Sequence, residues 1–111
     1  MAIEVLPPTG ATLSNLIARL VAALQPSAIY LFGSRARSDA REDSDYDVLV
    51  VVEQSDLPPS ARATRAYEAL WGLGVPVDVI VFTREEFERM ARDVTSLPAT
   101  VLREGVRVHA A

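Results

Sequence analysis

An apolar run that breaks on Gly33-Ser34 and resumes at Tyr46 constrains this chain more than any other feature. The stretch from Ala28 to Val52 reads AIYLFGSRARSDAREDSDYDVLVVV. Ala28 to Phe32 reads as a strand, Gly33-Ser34 as a tight turn, and Tyr46 to about Glu53 as a second strand after a charged loop. Asp45 and Asp47 stand at the mouth of that second strand. They are two apart, so in an extended chain both carboxylates point to one face. Gly33 has no Cβ, so a ligand can lie against its backbone. Ser34 falls where a short helix would begin, and the unpaired N–H groups of a helix start favour an anion. Donors for phosphate beside carboxylates for a hard cation predict a metal–nucleotide site.

Plainer roles exist for some of these residues. Ser34 can cap a helix, and Asp45 can serve as an ordinary turn residue. Asp47 resists such a reading, because it leads directly into Val48, Leu49, Val50, Val51 and Val52, where an unpaired carboxylate is disfavoured. A second case follows at Pro76 to Phe82, PVDVIVF, a predicted strand with Asp78 between valines. Two such aspartates in separate strands suggest convergence on one spot. Three unpaired carboxylates close together would repel and raise one another's pKa. A divalent cation relieves that conflict, and an all-oxygen set favours Mg²⁺ or Mn²⁺ over zinc. In the loop, Arg35, Arg37 and Arg41 alternate with Asp39, Glu42 and Asp43. Such mixed charge is commonly a solvated loop, yet Arg35 or Arg37 could steady a triphosphate, since a guanidinium matches phosphate oxygens as a fork.

Gly33-Ser34, ten residues, Asp45-x-Asp47 and the later Asp78 together resemble the minimal nucleotidyltransferases of the DNA polymerase beta superfamily. The resemblance covers nearly the whole chain. One departure stands in the loop, where many relatives carry Gly and this chain has Ser38. The resemblance implies an α/β nucleotidyltransferase fold, a mixed sheet of three to four strands with helices packed on it. It implies ATP as donor, its phosphates on Gly33 and Ser34, with Mg²⁺ (or Mn²⁺) held by Asp45 and Asp47. Asp78 would help hold a second ion and is placed to take the acceptor's proton. Stand-alone enzymes of this kind resemble the antitoxin of a two-protein module, whose partner is a HEPN-domain ribonuclease toxin and whose reaction places AMP on a toxin tyrosine. Two alternatives stay open: an antitoxin that inhibits by docking alone, and a small-molecule nucleotidyltransferase completed by a partner subunit.

The rest of the chain supplies the frame. Its 111 residues, half of them apolar, fit one domain over 1–111 that buries roughly two thirds of its unfolded surface. After the closing strand only Ala110 and Ala111 follow, so no second domain is expected to bind an acceptor, and a hetero-oligomer with the partner is. Without cysteine, disulfides and thiolate metal sites are excluded. No apolar run approaches the length of a membrane span and the start lacks a signal-peptide pattern, so the cytoplasm is expected. The formal net charge of −4 argues against broad electrostatic binding to nucleic acid.

Residues 1–11 read as a lead-in. Thr12 is expected to cap a helix with Leu13, Leu16, Ile17, Leu20 and Leu24 on one face, ending at Gln25-Pro26. After a loop over Gln54 to Pro59, Ser60 to Leu73 reads as a helix with Ala63, Ala66, Tyr67, Leu70 and Leu73 inward. Trp71 beside that stripe is expected in the core, with a partner anchor as the other use of such an aromatic. Thr83-Arg84-Glu85-Glu86 is a capping box opening a helix through Phe87, Met90 and Val94. A further helical turn or two runs from Ser96-Leu97-Pro98 to Glu104, and Val106 to His109 closes the chain as a strand. His109, the one histidine, is read as an edge residue without a catalytic role.

Overall fold

The computed structural model describes residues 10–37 and 44–111. Residues 1–9 of the lead-in and loop residues 38–43, with Ser38, Asp39, Arg41, Glu42 and Asp43 among them, lie outside the described residues. Four strands, β1 (Ala28–Phe32), β2 (Tyr46–Val52), β3 (Val77–Thr83) and β4 (Val106–Ala110), form one sheet in the order β3-β2-β1-β4. The helices are α1 (Ala11–Leu24), α2 (Pro59–Ala69), α3 (Arg84–Ala91) and α4 (Leu97–Glu104). β1 runs antiparallel to β2 and to β4, whereas β2 and β3 are parallel, joined across α2. This is the mixed α/β sheet expected.

Alternation along β2 assigns the two faces. Val48, Val50 and Val52 pack with Ile29, Leu31, Val79 and Val81 under Leu13, Leu16, Ile17 and Leu20 of α1 and Ala66 of α2. Leu49 and Val51 point the other way, to Tyr30, Phe87 of α3 and Val101 of α4. Tyr30 and Phe87 stack with ring centroids 5.5 Å apart. Asp45, Asp47 and Asp78 share the parity of Leu49, Val51 and Ile80, so they belong to the α3–α4 face, beyond its apolar cluster.

Several boundaries shift for local reasons. α1 starts at Ala11 behind Gly10, whose positive φ of 83° turns its carbonyl to accept the Ser14 N–H, so Thr12 lies inside the helix and caps nothing. α2 ends at Ala69, short of Leu73. Leu70, Trp71 and Leu73 donate to carbonyls three residues back, and Gly72 and Gly74 follow at positive φ. That early end carries Trp71 out of the core: it is 86% exposed. β2 stops at Val52, and β3 starts at Val77 and runs on to Thr83. Val94 falls beyond α3, because Asp93 accepts from the N–H and hydroxyl of Thr95 and closes a turn there. No helix of the described residues is long and apolar enough to cross a membrane.

Candidate active site

The register of the sheet assembles the carboxylates. Asp47, the second residue of β2, sits opposite Asp78, the second residue of β3, and opposite Phe32, the last residue of β1. In a parallel pair, residues in register project from the same face, so Asp47 and Asp78 stand side by side. Asp45 precedes β2 and is exposed, as is Asp78, while Asp47 is half-buried. Valines flank Asp78 in sequence without enclosing it, because they point through to the opposite face.

Gly33 follows Phe32 directly and therefore lies against Asp47. Its φ is 74°, and a Cβ there would run into the Asp47 carboxylate, with Cγ at 3.2 Å. The absent side chain thus makes room for Asp47, a reason invisible until the register is known. Gly33 opens a 3-10 turn, Gly33–Arg35, closed by the Ala36 and Arg37 N–H groups on the Gly33 carbonyl at 3.1 and 3.2 Å. Ser34 sits in that turn, half-buried, and its hydroxyl supplies no cap. The helix-cap role considered for Ser34 is not the one the structure gives it.

Burial pushes the Asp47 carboxyl above the ordinary carboxylate range. The charges of Asp78 and Asp45 and a hydrogen bond shared with Asp78 add to this, with Arg37 pulling the other way. With the carboxyl raised in this way, the charged form of Asp47 is the disfavoured one, and a bound cation would relieve it. Among the described residues, no arginine forms an ion pair with Asp45, Asp47 or Asp78. Nor do three ligating side chains there stand close enough to hold a metal ion as they are placed. Asp47 and Asp78 make a pair, and Asp45 acts on it through its field. The donor chemistry, oxygens only and mutually repelling, suits a hard divalent cation.

The two arginines differ. Arg37 is exposed, close enough for its charge to act on Asp47. Arg35 donates through Nε and Nη2 to the Ser44 carbonyl at 3.1 and 2.8 Å, and its guanidinium lies 3.9 Å above the centre of the Tyr46 ring. His109 pairs with Ile29 at the far end of β1, away from the carboxylates.

A residue with no sequence signal is Arg62, almost fully buried in α2. It donates to the carbonyls of Leu57 (2.9 Å) and Val81 (3.1 Å) and forms a two-pronged pair with Glu86 at 2.7 and 3.1 Å. Its partners lie up to 24 residues away, so no spacing rule could reveal it.

The sheet thus sets a Gly-Ser turn against two in-register aspartates. Residues 13–108 match the family described as Nucleotidyltransferase domain, and the chain belongs to that family. No protein of curated function matches the sequence. The fold is similar to that of a toxin–antitoxin crystal structure with AMP-PNP, with a TM-score of 0.63 and 22% identity over 88% of this chain and 73% of that one. It is also similar to a candidate nucleotidyltransferase from Sulfolobus solfataricus, with a TM-score of 0.51 and 23% identity over 89% and 87% of the two chains.

Proposed function

We propose that this protein transfers AMP from ATP to a tyrosine hydroxyl of a protein partner, a HEPN-domain toxin, and acts as its antitoxin. The observation that carries the reading is the Asp47–Asp78 pair, in register beside Gly33-Ser34 and without an arginine partner among the described residues. A structural ion pair would bring a cation to these carboxylates, and none of the ion pairs among the described residues does so. The similar structure that holds AMP-PNP is of a toxin–antitoxin, which supports both the nucleotide and the kind of partner.

In this reading Asp45, Asp47 and Asp78 would hold Mg²⁺, or Mn²⁺, which would supply charge neutralisation for the phosphates and for the oxygens that enter and leave. The Ser34 hydroxyl donates to a phosphate oxygen, and Arg37 sets its guanidinium toward the triphosphate. Asp78, exposed at the start of β3, takes the proton of the acceptor hydroxyl. A bond forms between that oxygen and the α-phosphorus as the bond to pyrophosphate breaks. The exposure of Asp45 and Asp78 suits an acceptor that brings its own surface, as a protein does.

The test is mass spectrometry of the partner after incubation with ATP and Mg²⁺. Addition of one or more AMP units to a tyrosine is expected, and Ser34→Ala should slow it, with a loss of about 1–3 kcal/mol for one hydrogen bond to a charged oxygen. A partner inhibited yet unmodified would overturn the transfer reading in favour of docking alone. AMP found only on a small molecule would move the acceptor to that class.

A further inference from the structure

We infer that Arg35 is a positioning residue: it clamps the start of β2 from the opposite face of the sheet and thereby fixes Asp45 and Asp47. Ser44 and Tyr46 are the two neighbours of Asp45, and Arg35 holds both, the first by its carbonyl and the second by its ring. The guanidinium binds Ser44 edge-on, leaving its flat face for Tyr46, so one side chain satisfies both contacts without compromise. Alternation then decides which way the group faces. Tyr46 lies between Asp45 and Asp47 in the extended chain, so its ring leaves the opposite side of the strand. That ring packs against the cluster under α1 and α2, as does Ala36 next to Arg35. An arginine stacked there has its head on the far side of β2 from the carboxylates.

The clamp adds to the hold of the neighbouring strands, which begins at Tyr46 on the β3 side and only at Asp47, opposite Phe32, on the β1 side. The Tyr46 N–H donates to the Pro76 carbonyl on the β3 side at 3.0 Å, and Arg35 supplies the hold from the Gly-Ser turn. Two carboxylates that repel each other need such fixing, because nothing in their own charge keeps them together. The inference rests on the proposed metal–nucleotide site for its purpose, but the clamp itself stands apart from catalysis. It replaces the phosphate contact expected of Arg35 with a task performed through the backbone.

Amide hydrogen exchange of the metal-free protein, run beside Mn²⁺ titration of the nucleotide-free protein, tests it with Arg35→Ala, Tyr46→Leu and Tyr46→Phe. Arg35→Ala and Tyr46→Leu should each speed exchange at Tyr46 to Val48 by about tenfold, a local and not a global loss. Each should weaken Mn²⁺ by a similar factor, and the double variant should be little worse than either single one. Tyr46→Phe keeps the ring and should retain wild-type protection. ATP affinity at saturating Mn²⁺ should stay within about twofold in Arg35→Ala, since a positioning residue loses metal affinity first. A large loss of ATP affinity there, with Tyr46→Leu unaffected, would overturn the clamp in favour of a phosphate contact. Unchanged exchange in both variants would overturn it outright. Wild-type protein that binds neither Mn²⁺ nor ATP would instead sink the proposed function, and the exchange result would still stand.

Discussion

Gly33 answers to two constraints, a left-handed backbone and the Asp47 carboxylate pressed against its Cα. Gly33→Ala should therefore destabilise the fold by about 1–3 kcal/mol through backbone strain and displace Asp47. In urea unfolding, the double variant Gly33→Ala/Asp47→Ala should recover the part due to the clash and leave the part due to φ. Single-variant stability equal to wild type would show the contact to be slack. Asp78 offers the complementary experiment. The folded Asp47 pKa is raised above its ordinary 3.8, so the fold favours the protonated acid. The stability this contributes is present below the unfolded pKa and lost as pH rises through the folded one; at neutral pH the ionised group is a liability. Asp78→Asn removes one of the charges responsible while keeping shape. It should abolish transfer, yet the metal-free protein should melt at the same temperature or higher, as thermal unfolding in EDTA would show. A large fall in melting temperature would count against the catalytic role of Asp78. That Asp47 and Asp78 would meet on one face was legible, because alternation along a strand is a local fact. The hold of Asp47 on Gly33 was not, since it depends on pairing between β1 and β2.

At the scale of elements, the free edge of β3 shows how tertiary partners finish what local signals begin. In a parallel strand alternate residues turn both backbone groups outward, and here these are Val79, Val81 and Thr83. The Val79 N–H donates to the Tyr67 hydroxyl at 3.0 Å, the Val81 carbonyl accepts from Arg62, and the Thr83 N–H donates to Glu86 at 2.8 Å. An edge so occupied has less to offer another strand. The Thr83–Glu86 capping box was legible and is fully formed. What the sequence could not convey is that the same Glu86 is anchored by Arg62. Arg62 first, and then the Thr83 N–H, hold the Glu86 carboxyl down from 4.5 to about 2. The side chains are 7% and 25% exposed, and a shift of that size corresponds to about 3 kcal/mol as an upper figure. Because the folded pKa is depressed, this stability is complete above the unfolded value and is lost as pH falls toward 2. Arg62→Met should cost about 3 kcal/mol at neutral pH by stranding Glu86, and should flatten the decline between pH 4.5 and 2. Urea midpoints measured at both ends of that window would check it. A wild-type midpoint that does not fall with acid would refute the linkage.

Across the whole molecule, the sheet separates what holds it from what it does. Both faces are sealed by helices, and the carboxylates gather at one end, where β1 leaves the sheet and the parallel pair β2–β3 enters it. Parallel strands usually present ligands at their carboxyl ends; here the antiparallel β1 brings its carboxyl end, with Gly33 and Ser34, to the amino ends of β2 and β3. A mixed sheet is thus a requirement of the site, and the sequence carried it only through resemblance, because apolar runs do not state their direction. This arrangement leaves three acidic groups near where a triphosphate would rest, with Arg37, among the described residues, opposing them at Asp47. Two anionic partners cannot associate closely without a cation between them. ATP without a divalent ion should therefore leave the melting temperature almost unchanged in EDTA. With Mg²⁺ and ATP at about 100 times the dissociation constant, binding contributes about 2.7 kcal/mol, and for a domain of this size that raises the melting temperature by roughly 10 °C. In Asp47→Ala the shift should vanish while the fold persists, since the half-buried charge it removes is one the fold disfavours. Equal shifts with ATP in EDTA and in Mg²⁺ would mean that the nucleotide binds elsewhere on the protein, and the carboxylate pair would then need another purpose.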